Sequence, residues 1–82
     1  MKNVRKEIAE RLKFEFSRRG LSLGSASKLI NIPVTILNSY IDGKREVNFD
    51  EISKICDSLN INSVRLLFSE NYPKSSLNNP KN

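Results

Sequence analysis

The side chains best equipped for chemistry in this sequence are its cations. It carries 14 Lys and Arg against 9 Asp and Glu, a formal net charge of +5 at pH 7. Their placement is uneven. Residues 1–45 hold ten basic and four acidic side chains, +6, whereas residues 46–82 hold four and five, −1. A basic front half suits a polyanionic partner, although a plain solvated surface would look the same. Catalysis has fewer materials to work with. The absence of His removes the commonest general base and zinc ligand, and the single Cys56 cannot form an internal disulfide. No nucleophile–base arrangement, metal-ligand cluster or phosphate-cradling glycine loop stands out. The sequence therefore points away from an enzyme and from any cofactor or metal. Cys56 lies on an apolar helix face and reads as core.

Eighty-two residues suit one domain with a small core, so self-association would add stability. The basic N-terminus is not followed by the apolar run of a signal peptide, and no segment has the ~18 consecutive apolar residues of a membrane span. A soluble, cytoplasmic protein without membrane contact is expected.

The elements that must position any binding residues read as helices throughout, an all-α fold. Val4, Ile8, Leu12 and Phe16 recur every four residues in a first helix over about 3–19. Glu15 and Arg19 can pair at i,i+4 along the edge of that stripe, while Phe14 points off it as a candidate partner contact. Gly20 ends the helix. Ser22 caps a second helix running to Leu29 or Ile30, and Asn31 suits the left-handed conformation of a tight turn. Pro33 opens a third helix over 33–41, stopped by Asp42-Gly43. Asn48 and Glu51 have capping-box spacing at the head of a fourth helix, whose buried face is Phe49, Ile52, Ile55, Cys56 and Leu59. Asn62 caps a short fifth helix. Residues 1–70 form the expected domain, and the polar, aperiodic residues 71–82 a flexible, disordered tail.

The stretch LSLGSASKLINIPVTILNSYIDGK, residues 21–44, resembles without a gap the helix-turn-helix of the phage repressor/Cro-like (XRE) family. Leu21-Ser22 match the family's entry into its second helix. Ile30, Ile32 and Leu37 occupy its apolar anchor positions, and Tyr40 and Gly43-Lys44 match the end of its third helix. Ile8 to Lys13 looks like its first helix, and FDEISKICDSLNINSVRLL like its fourth and fifth. Four departures matter. Leu23 stands where the family often has a phosphate-contacting Gln. Ala26-Ser27 replaces a Leu-Ala pair, with Leu29 as the candidate for the missing bulk. Asn31 replaces a Gly. Phe16 and Ile41 occupy positions where some members pair an Arg with a Glu, and an apolar pair can replace a buried ion pair at little loss of stability.

The resemblance implies a compact five-helix, lambda-repressor-like domain that binds double-stranded DNA with its third helix in the major groove. Val34, Thr35, Asn38 and Ser39 match the base-contacting positions. An Asn can bond adenine N6 and N7, hydroxyls can donate or accept, and Val can touch a thymine methyl. Lys28, Lys44 and Arg45 are placed for phosphates, with Arg18 and Arg19 as further candidates. The expected function is a sequence-specific transcriptional regulator, a Cro-like phage or prophage repressor. It would bind a near-palindromic operator as a homodimer through Leu66, Leu67 and Phe68. A restriction–modification controller is the alternative within DNA binding. The rival outside it is a protein-binding module of the same fold, such as an antitoxin, because residues 33–41 hold no Lys or Arg. No small-molecule ligand is expected.

Overall fold

Four of the helices open on the same device, a polar side chain that bonds a backbone N–H one turn ahead. In the computed structural model, which describes residues 3–73, Asn3 accepts from Lys6, Ser22 from Ser25, Asn48 from Glu51 and Asn62 from Arg65, all at 3.0–3.1 Å. Each bond satisfies a donor that the helix cannot, worth about 1 kcal/mol. The helices are α1 (Val4–Arg18), α2 (Leu23–Ile30), α3 (Val34–Ile41), α4 (Phe49–Leu59) and α5 (Ser63–Phe68). At the end of α1 the chain turns left-handed at Gly20, whose N–H reaches Ser17 O while that of Leu21 reaches Phe16 O. Asn31 and Asn60 take the left-handed role after α2 and α4. Pro33 sits in an extended conformation as the N-cap of α3, so the helix begins one residue later than expected.

The core draws on every helix, with Ile8, Leu12, Leu37, Tyr40, Ile55 and Leu66 each 1% exposed or less. α1 packs against α3 and α5, α2 against α3 and α4, and α4 against α5. Phe16 is buried and Ile41 half-buried against the same cluster, so no charge is stranded where some resembling proteins carry an ion pair. No helix among the described residues is long and apolar enough to cross a membrane.

Packing overturns several expectations. Leu66 is fully buried and cannot line a seam between copies, because the six-residue α5 offers it as the one side chain held between α1 and α4. Phe49 is 67% exposed: at the first position of α4 it overhangs a groove instead of joining the stripe from Ile52 to Leu59. Leu29 is also exposed and supplies no core bulk, whereas Ala26 is fully buried. Phe14 is not a free surface ring. It packs against the core, edge-on to Tyr72 with centroids 6.1 Å apart.

Tyr72 also corrects the tail boundary. It is buried, and its hydroxyl donates to the Glu15 carboxylate, which also accepts from Arg19. Arg11 donates to Leu66 O at 2.7 Å and Ser69 O at 2.6 Å, drawing the chain after α5 onto α1. The guanidinium groups of Arg11 and Arg65 lie 5.4 and 4.7 Å from the Tyr72 ring centre. Burial, reinforced by the bond to Glu15, raises the phenol's pKa well above its ordinary value and keeps it a donor. The described part of the predicted tail therefore starts inside the domain. The rest, 74–82, lies outside the described residues.

Truncating Tyr72 should accordingly cost core stability. Tyr72→Ala is expected to lower the unfolding free energy by ~2–4 kcal/mol in urea titrations. A loss under ~0.5 kcal/mol, typical of a surface site, would place Tyr72 outside the core.

Candidate nucleic-acid interface

The turn between α2 and α3 is held by bonds to one residue. Ser27 O accepts the N–H groups of Asn31 and Ile32 at 2.8 and 3.3 Å, and the Ser27 hydroxyl donates to Ile32 O at 2.6 Å. Lys54, from α4, donates to Asn31 O at 3.0 Å. Buried Ile32 then pins the loop, and Pro33 O accepts the first N–H bonds of α3. These contacts fix the angle at which α3 leaves the body.

α3 divides into two faces. Leu37 and Tyr40 face the core, whereas Val34, Thr35 and Asn38 are exposed at i, i+1 and i+4, on one side of the helix. The structure thus brings together three of the four residues expected to read bases. Ser39 is set apart. It is half-buried and its hydroxyl donates to Ile36 O at 2.6 Å, a bond back to its own helix. Asn38 has only a long contact of 3.4 Å to Asp42, leaving its amide available.

The cations sort in the same way. Lys28 and Lys44 are exposed at the ends of α2 and α3. Arg45, expected beside Lys44 on a phosphate, instead grips Glu51 through Nε at 2.9 Å and Nη2 at 2.8 Å, and lies 5.7 Å over the Tyr40 ring. Glu51 Oε1 also accepts from the Tyr40 hydroxyl at 2.6 Å, and Tyr40 Oη receives the Asn48 N–H at 3.2 Å. The expected capping box is therefore half made. Asn48 caps Glu51, but the Glu51 carboxylate is taken by Arg45 and Tyr40, and Tyr40 serves the Asn48 N–H in its place. The bond from Arg45 holds the Glu51 carboxyl below its ordinary pKa, and burial first, then Glu51, pushes the Tyr40 phenol up to about 12. Arg19 is likewise engaged, by Glu15 and by Leu59 O at 2.9 Å, and Arg18 stands over Phe14.

One basic residue gains a position that spacing did not reveal. Gly43 turns left-handed at φ 73° after α3 and packs onto the first turn of α1. A methyl group there would lie 3.7 Å from Lys6 Cα and 3.8 Å from Arg5 O. Lys6, exposed, is thereby set beside the Gly43-Lys44 turn. The ion pairs among the described residues leave Lys6, Lys28 and Lys44 unpaired. This neighbourhood arises from tertiary packing of α1 against α3 and the Gly43 turn, so no local sequence signal announced it. Cys56 offers no reactive group here: burial pushes its thiol up to about 11 and leaves it protonated and shielded.

Among solved structures, the fold is similar to that of an HTH_3 family transcriptional regulator from Vibrio cholerae. The TM-score is 0.73 over 77% of this chain, at 24% sequence identity. The match spans 35% of the length of that protein. No family model and no curated protein matches the sequence. The five-helix helix-turn-helix architecture is thus shared with a known regulator.

The Glu51 clasp makes a signed prediction about pH. A carboxyl held below its ordinary 4.5 contributes stability that is present above that value and lost as pH falls through the depressed one. Thermal unfolding followed from about pH 6 to about pH 3 should therefore show a steeper loss in the wild type than in Glu51→Gln. Parallel curves would mean that the Arg45–Glu51 pair is not formed.

Proposed function

We propose that this protein is a sequence-specific, DNA-binding transcriptional regulator that lays α3 into the major groove. The observation that carries this reading is the exposed, uncharged face of Val34, Thr35 and Asn38, framed by the unpaired cations Lys28 and Lys44. Such a face can read base edges without being bound to phosphate by its own charge, while the flanking cations supply affinity and register. Asn38 is the principal reader, suited to adenine. Thr35 adds a hydroxyl, and Val34 an apolar contact for a thymine methyl. Ser39 is half-buried and spends its hydroxyl proton on Ile36 O, which leaves it only an acceptor for a base, and so it contributes least. Lys6 joins Lys28 and Lys44 as a phosphate anchor, while Arg45 is committed to Glu51.

The fold likeness to a transcriptional regulator supports this reading, as does the basic front half of the chain. Within it, the chain is a Cro-like repressor of phage or prophage type, working in the cytoplasm as a homodimer on a near-palindromic operator. A restriction–modification controller would use the same face. The reading assigns no catalytic step, cofactor or small-molecule ligand. One observation favours a protein-binding module of the antitoxin kind instead: α3 itself carries no Lys or Arg.

Titration of labelled duplexes, including DNA from the protein's own promoter region, separates these readings. Binding should fall steeply with salt, and Lys44→Gln or Lys6→Gln should reduce the log–log slope by ~0.9 each while weakening all sequences alike. Asn38→Ala should relax one base position at a cost of ~1–3 kcal/mol. No binding to any duplex at low salt would overturn the DNA reading and leave the protein-binding one.

A further inference from the structure

Arg18 and Arg65 have no task on the face that α3 presents, yet the fold brings them into one row. Arg65 stands over the Tyr72 ring at 4.7 Å, Tyr72 meets Phe14 edge-on at 6.1 Å, and Arg18 stands over Phe14 at 5.9 Å. We infer that this arginine–aromatic row is a second interaction surface, which takes a short acidic segment of a partner protein. The inference goes beyond the DNA reading and does not depend on it.

The row lies on the side of α1 away from the reading helix. Ala9 faces the turn after α3, where a methyl group on Gly43 would stand 3.8 Å from the Ala9 Cβ. Arg18 comes nine residues later, about two and a half helical turns, so it projects the opposite way. Arg11, Phe14 and Arg18 follow one another at i+3 and i+4, and the chain after α5 is laid against that edge by the bonds of Arg11 and the ring of Tyr72. A duplex seated on α3 leaves this side open. Arg18 therefore does not serve the phosphates that Lys6 and Lys44 would hold.

Charge is left over here. The guanidinium groups of Arg11, Arg18, Arg19 and Arg65 gather around Tyr72 and Phe14, against the carboxylates of Glu7 and Glu15. Arg11 is spent on Leu66 O and Ser69 O, and Arg19 on Glu15 and Leu59 O. Buried Glu15 already accepts from Tyr72 and Arg19, so it offers Arg18 only a loose 3.7 Å approach, and the Arg18 side chain stays 55% exposed. Arg65 is exposed and makes no ion pair among the described residues.

Each of these two open guanidinium groups has a ring beneath it and N–H edges to spare. The ring restrains the side chain in advance, and the fork takes a carboxylate through two parallel bonds. The extent of the patch selects a short acidic segment over a nucleic acid. Duplex binding draws on a track of phosphate contacts, ~6–10 in a typical site. This positive surface instead ends beside Tyr72, at a cleft lined by Glu7, Glu10 and Glu70 that would repel a continuing polyanion. About six extended residues, ~20 Å, suffice to carry carboxylates to both arginines.

Titration of the full, isotope-labelled chain with hexaglutamate, followed by amide NMR shifts, tests the surface without DNA. Binding should saturate below ~1 mM, with the largest shifts around Arg18, Arg65 and Tyr72. Arg18→Gln and Arg65→Gln should each raise the dissociation constant ~3-fold, and together ~10-fold, the scale of exposed charge pairs. Lys28→Gln should leave it unchanged. Arg18→Lys with Arg65→Lys keeps the charge and the cover over both rings, and should still weaken binding ~3-fold by removing the forks. No saturation by ~1 mM would overturn the inference, as would shifts concentrated at Lys28 and Lys44. So would arginine variants, Gln or Lys, that bind as the wild type does. A short duplex that moves the Arg18 and Arg65 resonances ahead of those of α3 would also overturn it, making the patch a phosphate contact.

Discussion

The carboxylate of Glu51 decides how this small protein presents its third helix. It accepts the Tyr40 hydroxyl from α3 and the Arg45 guanidinium from the following loop, while its own N–H is capped by Asn48. α3 and the loop after it are thereby tied to the first turn of α4. Tyr40 is the last large core side chain of α3, so fixing its phenol fixes the rotation of the helix and the direction in which Val34, Thr35 and Asn38 point. Charged donors on a carboxylate are stronger than neutral ones, and here they act at the edge of the core, where water competes less. The same bonds hold the half-buried Arg45 to Glu51 instead of leaving its guanidinium free for a phosphate. The unpaired cations near α3 are then Lys6, Lys28 and Lys44, which are flexible point charges and carry no fork geometry.

A second polar cluster does comparable work at the other end of α1. Arg11 and Glu15 lie one turn apart and are buried, which would be costly for either charge alone. Arg11 meets two backbone carbonyls, and Glu15 meets Arg19 and Tyr72, so each is satisfied by groups that come from beyond α1. The effect is to bind the chain after α5 onto the first helix. In a domain whose apolar core is this small, a satisfied network of this kind specifies one arrangement more than it adds net stability.

The local features were legible because their causes are local. Gly20, Ser22, Asn31, Asn48 and Asn62 act within one turn of themselves, and each appears where cap and turn chemistry puts it. The split of α3 into a core face and an open face follows from its period alone. What could not be read depends on neighbours distant in sequence. Tyr72 looked like tail because its partners, Glu15 and Phe14, lie almost the length of the domain away. Arg45 looked like a free cation because Glu51, six residues on, was already assigned to a capping box. Phe49 has helical spacing with Ile52, but spacing cannot tell that the first turn of α4 runs past its packing partners. Lys6 comes near the Gly43-Lys44 turn only in the folded chain, where α1 packs against α3 and Gly43 lies against the Lys6 backbone.

The central claim is that an uncharged face of α3 reads a sequence while lysines on its flanks hold the backbone. Selection of bound sites from a pool of random duplexes tests it most directly. The account predicts enrichment of a two-fold symmetric motif whose half-sites lie about one helical turn, ~34 Å, apart, with adenine fixed at the position that Asn38 faces. Recovery of a pool no different from the input, under salt conditions where the protein is folded, would contradict it.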